Sequence, residues 1–365
     1  MFTLAAWLHN FSPFIIRFSD SFGIRWYGVA YLTGFIIAYF ILVHLAKRGL
    51  TLIPAERVGD AMLWLIGGTL VGGRLGYVLF YQPDLLTRHL NHAPYWGLLA
   101  INEGGMASHG GMIGLTLACW RISRGWKEQS GRIIGRAPLL HVMDMVGLVA
   151  PFGVFLGRLA NFVNGELLGK IVTPPGVEGP WWTVQYPQEL ELPNVGKRVQ
   201  VPALQDPDAA EKLLKLLREV APDRTFDDGI RILIGQAKES QVAAQLKPLL
   251  SSRMPSQLFQ AFAEGVVIAV LLWALWLKPR KAGVITGVFF ISYGVLRILT
   301  EIWRLPDAQF EVGRPFGLSR GQWLSVAMLV VGFGLLAWIR TQPLPKFGGW
   351  LRRRGPGQYP AGSPF

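Results

Sequence analysis

Long apolar runs separated by shorter polar connections dominate the pattern of this 365-residue chain. A helix needs about 20 mostly apolar residues to cross a bilayer, and the runs predict seven such helices. The predicted helices are Ile24–Ala46, Val58–Tyr81, His109–Ile122, His141–Phe162, Ser256–Leu277, Gly283–Trp303 and Gln322–Ile339. The pattern therefore predicts an all-α polytopic membrane protein with about seven transmembrane helices.

The third predicted helix is short for a complete crossing. It begins next to a Gly-Gly pair, and the preceding stretch Tyr95–Ser108 is apolar and rich in glycine. Irregular backbone at membrane depth must be buried in protein or line a cavity. We therefore expect a re-entrant segment that completes this span.

One connection, between the fourth and fifth helices, is much longer than the others. Within it, Gly179–Pro187 has the pattern of a strand, Asp208–Val220 that of a helix, and Phe226–Leu250 that of two short helices. We predict a small extracytoplasmic domain here. The predicted organisation is an N-terminal arm (1–23), helices 1–4 with the re-entrant segment (24–169), the inserted domain (170–255), helices 5–7 (256–340) and a basic cytoplasmic tail (341–365). We expect the arm to lie at the membrane interface rather than to be a cleaved signal peptide. We expect the tail to be disordered from Pro343 and held near anionic lipid.

Lys and Arg are distributed unequally between the two sides of the predicted helices. The basic connections hold Lys47, Arg48, Arg57, Arg121, Arg124, Lys127, Arg132, Arg136, Lys278, Arg280, Lys281, Arg340, Lys346 and Arg352–Arg354, and the opposite side holds mainly Arg88, Arg304, Arg314 and Arg320. Basic loops stay in the cytoplasm. The asymmetry predicts an N-terminus outside and a C-terminus inside.

Composition supports a membrane protein over a soluble one. The chain is 51% hydrophobic and 16% charged, against about 25% charged in a typical soluble protein. The net charge of +13 does not indicate nucleic-acid binding, because the basic residues flank apolar segments. The single cysteine, Cys119, excludes an internal disulfide and a Cys-rich metal site. We expect neither a metal nor a cofactor.

Several charged or amide side chains lie within or at the ends of the predicted helices, where they are costly. They are Arg74, Arg158, Asn161, Asn164, Glu166, Arg297 and Glu301. Arg297 and Glu301 share a helix face at i and i+4. Any one of these residues could serve helix packing alone. As a set, the arginines favour a site for an anionic lipid headgroup, because a guanidinium suits phosphate.

His109 begins a His-Gly-Gly sequence at a predicted helix start. Glycines there would let a lipid approach the imidazole closely. A lone histidine is more often structural, and no second histidine stands at the spacing of metal ligands. By itself His109 is a weak indicator of catalysis.

Six runs, in order along the chain, resemble those of the bacterial prolipoprotein diacylglyceryl transferases. The runs are Arg25–Gly28, Gly72–Tyr81, Glu103–Gly114, Gly157–Glu166, Pro255–Leu258 and Arg297–Asp307. The resemblance covers about Ile24 to Ile339. It implies an inner-membrane enzyme that moves diacylglycerol from phosphatidylglycerol to the lipobox cysteine in a prolipoprotein signal peptide, forming a thioether and releasing glycerol phosphate.

The resemblance also implies roles for individual residues. Arg158 and Arg297 match the family's arginines at the lipid phosphate, and His109 matches the histidine of its His-Gly-Gly motif. A further set would bind substrate: Tyr27, Arg74, Asn161, Asn164, Glu166, Tyr293 and Glu301. His109 would either take the thiol proton or orient the lipid. The nucleophile would belong to the substrate, so Cys119 would not react.

The chain departs from the family pattern at several positions. Ala160 replaces a glycine, Leu168 an aromatic residue, and Phe259-Gln260 a Tyr-Glu pair. These changes affect local helix packing and one side contact rather than the reaction. Two rival functions remain. A transporter or flippase for an anionic lipid would predict internal repeats and paired broken helices, which the sequence lacks. A non-catalytic scaffold would leave the arginines unexplained.

The predicted orientation can be tested with reporter fusions. A reporter active only in the cytoplasm should work when fused after Arg354 and fail when fused within Asp206–Lys212, because Lys and Arg of short loops hold those loops in the cytoplasm. The opposite pattern would contradict the orientation.

Overall fold

The computed structural model describes residues 6–18, 23–91, 93–101, 104–192, 201–305 and 319–351. Among the sequence predictions, Glu103, Asp307, Arg314 and the basic residues 352–354 lie outside these ranges. The described chain is mostly helical.

The described helices are α1 (Trp26–Lys47), α2 (Val58–Phe80), α3 (Ser108–Ser123), α4 (Leu139–Asn164), α5 (Pro207–Val220), α6 (Phe226–Gln236), α7 (Ser240–Leu246), α8 (Ser256–Gln260), α9 (Ile268–Leu275), α10 (Val284–Thr300) and α11 (Arg320–Thr341). A π-helix, Ala261–Val267, joins α8 to α9. The described strands are β1 (Trp7–Leu8), β2 (Phe14–Arg17), β3 (Gly23–Arg25), β4 (Trp126–Lys127), β5 (Ile133–Ile134), β6 (Ile171–Thr173), β7 (Val184–Gln185), β8 (Ser252–Arg253), β9 (Arg280–Lys281) and β10 (Lys346–Phe347).

Six helical segments in the described ranges are long and apolar enough to cross a membrane. They are Trp26–Lys47, Ala55–Phe80, Leu139–Asn164, Ser256–Leu275, Val284–Trp303 and Gly321–Thr341. The remaining predicted crossing corresponds to α3, whose 16 residues rise about 24 Å and fall short of a bilayer of about 30 Å. The prediction of a polytopic helical protein is confirmed, whereas the seventh crossing stays a prediction.

The described chain divides into two compact units. The first draws on Met1–Gly34, Pro151–Ala269 and Phe290–Val331. It contains a four-stranded sheet in the order β1-β7-β8-β6, in which β1 runs parallel to β7 and the other pairs are antiparallel. The sheet joins the N-terminal residues to both ends of the long connection between α4 and α8.

Helices α5 to α7 of that connection pack around their own apolar core. The core includes the fully buried Leu213, Leu233, Leu246 and Leu250. The helix expected from Asp208 begins one residue earlier, because the Asp206 carboxylate caps it by accepting a hydrogen bond from the Asp208 backbone N–H at 3.0 Å. The two short helices expected after Phe226 are α6 and α7.

A buried ion pair joins Glu189 to Arg253 within this connection. The Glu189 carboxylate accepts hydrogen bonds from Arg253 Nε and from the Ser251 backbone N–H at 3.1 Å. Arg253 also donates to the Gly169 carbonyl at 3.0 Å. Both charged side chains are fully buried, so each depends on the other for its electrostatic partner.

The second unit draws on Phe35–Ala150, Val270–Phe289 and Gly332–Phe365. Its helices α2 and α3 approach closely along a line of glycines. Gly68 and Gly72 of α2 face Gly114 and Gly110 of α3, and a Cβ atom on any of them would overlap a backbone atom of the opposite helix. Small residues at this spacing let helix backbones meet in the membrane.

A carboxylate buried in α4 completes the start of α10 within the same unit. Asp144 accepts hydrogen bonds from the backbone N–H groups of Gly283 at 2.7 Å and Thr286 at 2.8 Å, and from the Thr286 hydroxyl at 2.8 Å. These N–H groups have no partner within α10 itself. Asp144 therefore satisfies the amino end of that helix.

The segment after α11 is folded as far as residue 351. Strand β10 pairs with β9, and the Trp350 ring lies 4.4 Å from the Arg48 guanidinium and stacks on His44. Arg48 also donates to the Trp350 carbonyl at 3.1 Å. The prediction that the tail is disordered from Pro343 is wrong for this part, because the sequence pattern did not reveal the tryptophan contacts. The rest of the tail lies outside the described residues.

The glycine packing between α2 and α3 can be tested with neighbouring alanine substitutions. Gly68→Ala should destabilise the protein by about 1–3 kcal/mol, because the new methyl group overlaps α3. Gly67→Ala, where a Cβ meets nothing within 4 Å, should be neutral or stabilising by about 0.5–1 kcal/mol. Thermal midpoints in detergent provide the comparison. Equal midpoints for the two variants would refute the close approach.

Candidate active site

The end of α4 places polar side chains around Glu166 in the first unit. Gly165 adopts a left-handed backbone conformation (φ 66°), which ends the helix and turns Glu166 back toward it. The Glu166 carboxylate accepts hydrogen bonds from the Tyr27 hydroxyl at 2.7 Å and the Asn164 amide at 3.4 Å. The Asn161 amide donates to the Tyr27 oxygen and, at 3.5 Å, to Glu166. The structure thus brings these four predicted residues together.

Arg158, one helical turn before Asn161, pairs with a carboxylate from the π-helix. Its Nε and one terminal nitrogen donate to the same Glu264 oxygen at 3.1 and 2.8 Å. The other Glu264 oxygen accepts a hydrogen bond from the Thr300 hydroxyl at 3.1 Å. The Arg158 side chain is 15% exposed and that of Glu264 is fully buried. Arg158 is therefore held from its buried side.

Glu264 was not among the site residues predicted from the sequence. A signal was present, because Glu264 is the single charged residue of the apolar segment Ser256–Leu277. A charge in such a segment requires a partner. Arg158 is that partner, and it neutralises the charge of the carboxylate. The sequence did not show which of the buried arginines that partner would be.

The second predicted arginine also has a carboxylate partner. Arg297 donates to Glu301 at 2.6 Å across one turn, as their spacing predicted. The other Glu301 oxygen accepts from the Ser319 hydroxyl at 3.3 Å. Tyr293, one turn before Arg297, lies close enough to Arg158 to interact with its guanidinium. The tyrosine therefore joins the surroundings of the first arginine rather than those of the second alone.

Gln257 connects the Glu166 turn to the inserted segment. Its amide nitrogen donates to the Glu166 backbone carbonyl at 2.5 Å, and its oxygen accepts from the Tyr186 hydroxyl at 3.2 Å. Gln257 and Tyr186 are both fully buried. This chain of hydrogen bonds holds the backbone at Glu166 in place.

Two titratable groups beside the turn are kept neutral by burial. Burial lowers the pKa of His9, whose Nε2 donates to the Phe162 carbonyl at 2.8 Å. Burial raises the pKa of the Tyr186 phenol, whose ring is tilted against that of His9 with ring centres 5.1 Å apart. Neither group adds charge to the surroundings of Glu166 near neutral pH. The carboxylates and arginines therefore dominate the electrostatics.

Arg74 belongs to the second unit and holds a loop. Its guanidinium donates to the carbonyl groups of Gly97 at 2.5 Å, Leu98 at 2.8 Å, Gly104 at 2.6 Å and Gly105 at 3.0 Å. The side chain is 5% exposed. Four of its five N–H donors are thus engaged with backbone carbonyls of the segment that precedes α3.

His109 also belongs to the second unit, where it is the second residue of α3. Its side chain is exposed and makes no hydrogen bond with any described residue. The Ala107 N–H donates to the Gly73 carbonyl at 2.9 Å, which ties the start of α3 to α2. The loop held by Arg74 therefore leads into a fixed helix start that presents the imidazole.

The chain is similar to known proteins over most of its length. The family model described as prolipoprotein diacylglyceryl transferase matches residues 13–338. A phosphatidylglycerol–prolipoprotein diacylglyceryl transferase of Bdellovibrio bacteriovorus is 43% identical over 360 residues, which cover 94% of this chain and 97% of the relative. A protein of the same name from Burkholderia thailandensis is 34% identical over 340 residues, which cover 90% of this chain and 95% of the relative. The match extends over nearly the whole length of both proteins, and this chain belongs to the prolipoprotein diacylglyceryl transferase family.

Proposed function

We propose that this protein transfers the diacylglyceryl group of phosphatidylglycerol to the thiol of the lipobox cysteine in a prolipoprotein, the first step of bacterial lipoprotein maturation. The proposal rests on the ion pair between Arg158 and Glu264, which holds a guanidinium within an apolar segment. A guanidinium in that setting suits a lipid phosphate. Family membership supplies the identity of the two substrates.

In the proposed reaction, the substrate thiolate attacks the glyceryl carbon that carries the phosphate ester. A carbon–sulfur bond forms, the carbon–oxygen bond breaks, and glycerol phosphate leaves with the electron pair. Arg158 and Arg297 stabilise the negative charge of the departing phosphate in a site of low dielectric constant. Their positive field also favours the thiolate over the thiol.

The remaining residues of the first unit would hold the substrates. Glu264 occupies two of the five N–H donors of Arg158, which leaves others for Tyr293 and the phosphate. Tyr27, Asn161, Asn164 and Glu166 form a connected polar surface that could bind hydroxyl or peptide groups. Glu301 would act beside Arg297, and Tyr293 would act beside Arg158.

His109 and Arg74, the two predicted site residues of the second unit, have different roles in this proposal. His109 either accepts the thiol proton or orients the lipid, and the start of α3 holds it in place. The four carbonyl contacts of Arg74 favour a role in holding the loop over direct lipid binding. Cys119 is buried in α3, which agrees with a nucleophile supplied by the substrate.

We place the protein in the bacterial inner membrane, with its N-terminus outside and its C-terminus in the cytoplasm. The distribution of Lys and Arg supports this orientation. In it, α3 and the loop before it complete a seventh crossing. The segment 170–255 forms the extracytoplasmic domain, on the side where a secreted prolipoprotein presents its cysteine.

Reconstitution provides the test of the reaction. The purified chain is placed in vesicles with phosphatidylglycerol and a lipobox peptide, and the peptide mass is followed. The mass should rise by one diacylglyceryl group on the cysteine and stay unchanged in a peptide with serine at that position. Movement of labelled phosphatidylglycerol between leaflets without a gain in peptide mass would instead support an anionic-lipid flippase.

Lysine substitutions test the two arginines. Lysine keeps the charge but lacks the planar fork that grips two oxygens, so Arg158→Lys and Arg297→Lys should each lower the rate of thioether formation by about 10²–10³. Arg74→Lys should lower it less, because Arg74 contacts loop carbonyls. Arg57→Lys, at an exposed ion pair, is the control for a conservative change. Near-normal rates in both the Arg158→Lys and Arg297→Lys enzymes would mean that the phosphate binds elsewhere.

A further inference from the structure

Three polar side chains share the buried face of the helix that begins at Ser256. Gln257, Gln260 and Glu264 follow one another at spacings of three and four residues, which places them along one side of a helix. All three are fully buried. They lie within a segment that is otherwise apolar enough to cross a membrane.

The two outer members of this row are satisfied by the chain itself. Gln257 bonds to the Glu166 carbonyl and the Tyr186 hydroxyl, at 2.5 and 3.2 Å. Glu264 bonds to Arg158 and Thr300. The row therefore begins at the Glu166 turn and ends at the arginine that we assign to the phosphate.

Gln260, between them, has no such partners. Neither its amide nitrogen nor its amide oxygen makes a hydrogen bond with any residue in the described part of the chain. An amide buried without hydrogen bonds costs about 2–7 kcal/mol, and buried polar groups are nearly always paired. An unpaired glutamine within a row of paired side chains indicates a binding partner from outside the chain.

The backbone geometry at this point gives a second, independent indication. The α-helix gives way to a π-helix at Ala261, directly after Gln260, and the π-helix continues to Val267. Such π segments are rare and occur frequently at functional sites. The irregular turn follows Gln260 and contains Glu264, the partner of Arg158.

The free groups of Gln260 define the chemistry of the partner. A neutral amide offers both a donor and an acceptor, which matches a hydroxyl group. Ester oxygens of the diacylglyceryl group only accept hydrogen bonds, and an ammonium headgroup only donates them. Resting on the proposed function, we infer that Gln260 binds the hydroxyls of the head glycerol of phosphatidylglycerol, next to the phosphate at Arg158.

A pair of donor lipids tests this assignment. The full chain is reconstituted in phosphatidylcholine vesicles with the lipobox peptide and either phosphatidylglycerol or phosphatidylpropanol, whose headgroup has no hydroxyl. The wild-type enzyme should favour phosphatidylglycerol about tenfold, the effect of one or two hydrogen bonds. In the Gln260→Met enzyme the ratio of the two rates should fall to about one, because methionine keeps the length but not the amide.

Gln257→Met is the matched control from the same helix face. It removes bonds to the chain itself, so it should slow the reaction with both lipids alike and keep the tenfold ratio. If Gln260→Met does not fold, Gln260→Leu is measured in the same way. An unchanged tenfold ratio in the folded Gln260 variant, or no preference in the wild-type enzyme, overturns the inference while transfer itself stands. Absence of thioether with either lipid in the wild-type enzyme would instead refute the proposed function.

Discussion

The ion pair between Arg158 and Glu264 is the interaction on which the proposed chemistry depends. A lone arginine in an apolar segment is costly, and a lone buried carboxylate is more so. Together they are neutral, and Thr300 satisfies the carboxylate oxygen that the arginine does not use. The pair holds the guanidinium from its buried side. In the proposed reaction, this contact positions the arginine for an anionic substrate.

The need to satisfy polar groups in apolar surroundings accounts for other parts of the structure as well. One arginine, Arg74, serves the carbonyls of an irregular loop, and one carboxylate, Asp144, serves the amino end of α10. The glycines between α2 and α3 allow close packing of backbones, which is a main source of helix association in a membrane. The two charged side chains supply hydrogen bonds to backbone groups in apolar surroundings, and the glycines supply packing contacts between helices.

The helices were predicted from the sequence more readily than the connections between them. Apolar runs located the spans, and the i, i+4 spacing placed Arg297 beside Glu301. Asn161, Asn164 and Glu166 were predicted as site residues because polar groups are costly in a membrane helix and because they match residues of the family. The turn at Gly165 that brings them to Tyr27 was not predicted. Glu264 and Asp144 were missed, because their partners are far along the chain and only folding brings them close. The docking of Trp350 was missed for the same reason, since a Pro- and Gly-rich segment gives no periodic signal.

The most direct test of the account is the rate of thioether formation by the Glu264→Gln enzyme. Glutamine keeps the shape of the side chain but cannot balance the charge of Arg158, so the guanidinium should lose its fixed position. We predict a fall of about a hundredfold, the effect of misplacing a catalytic group by about an ångström. Glu189→Gln, which breaks the buried pair with Arg253, controls for lost stability and should lower the rate far less. A Glu264→Gln enzyme that works at or above the wild-type rate would contradict the account.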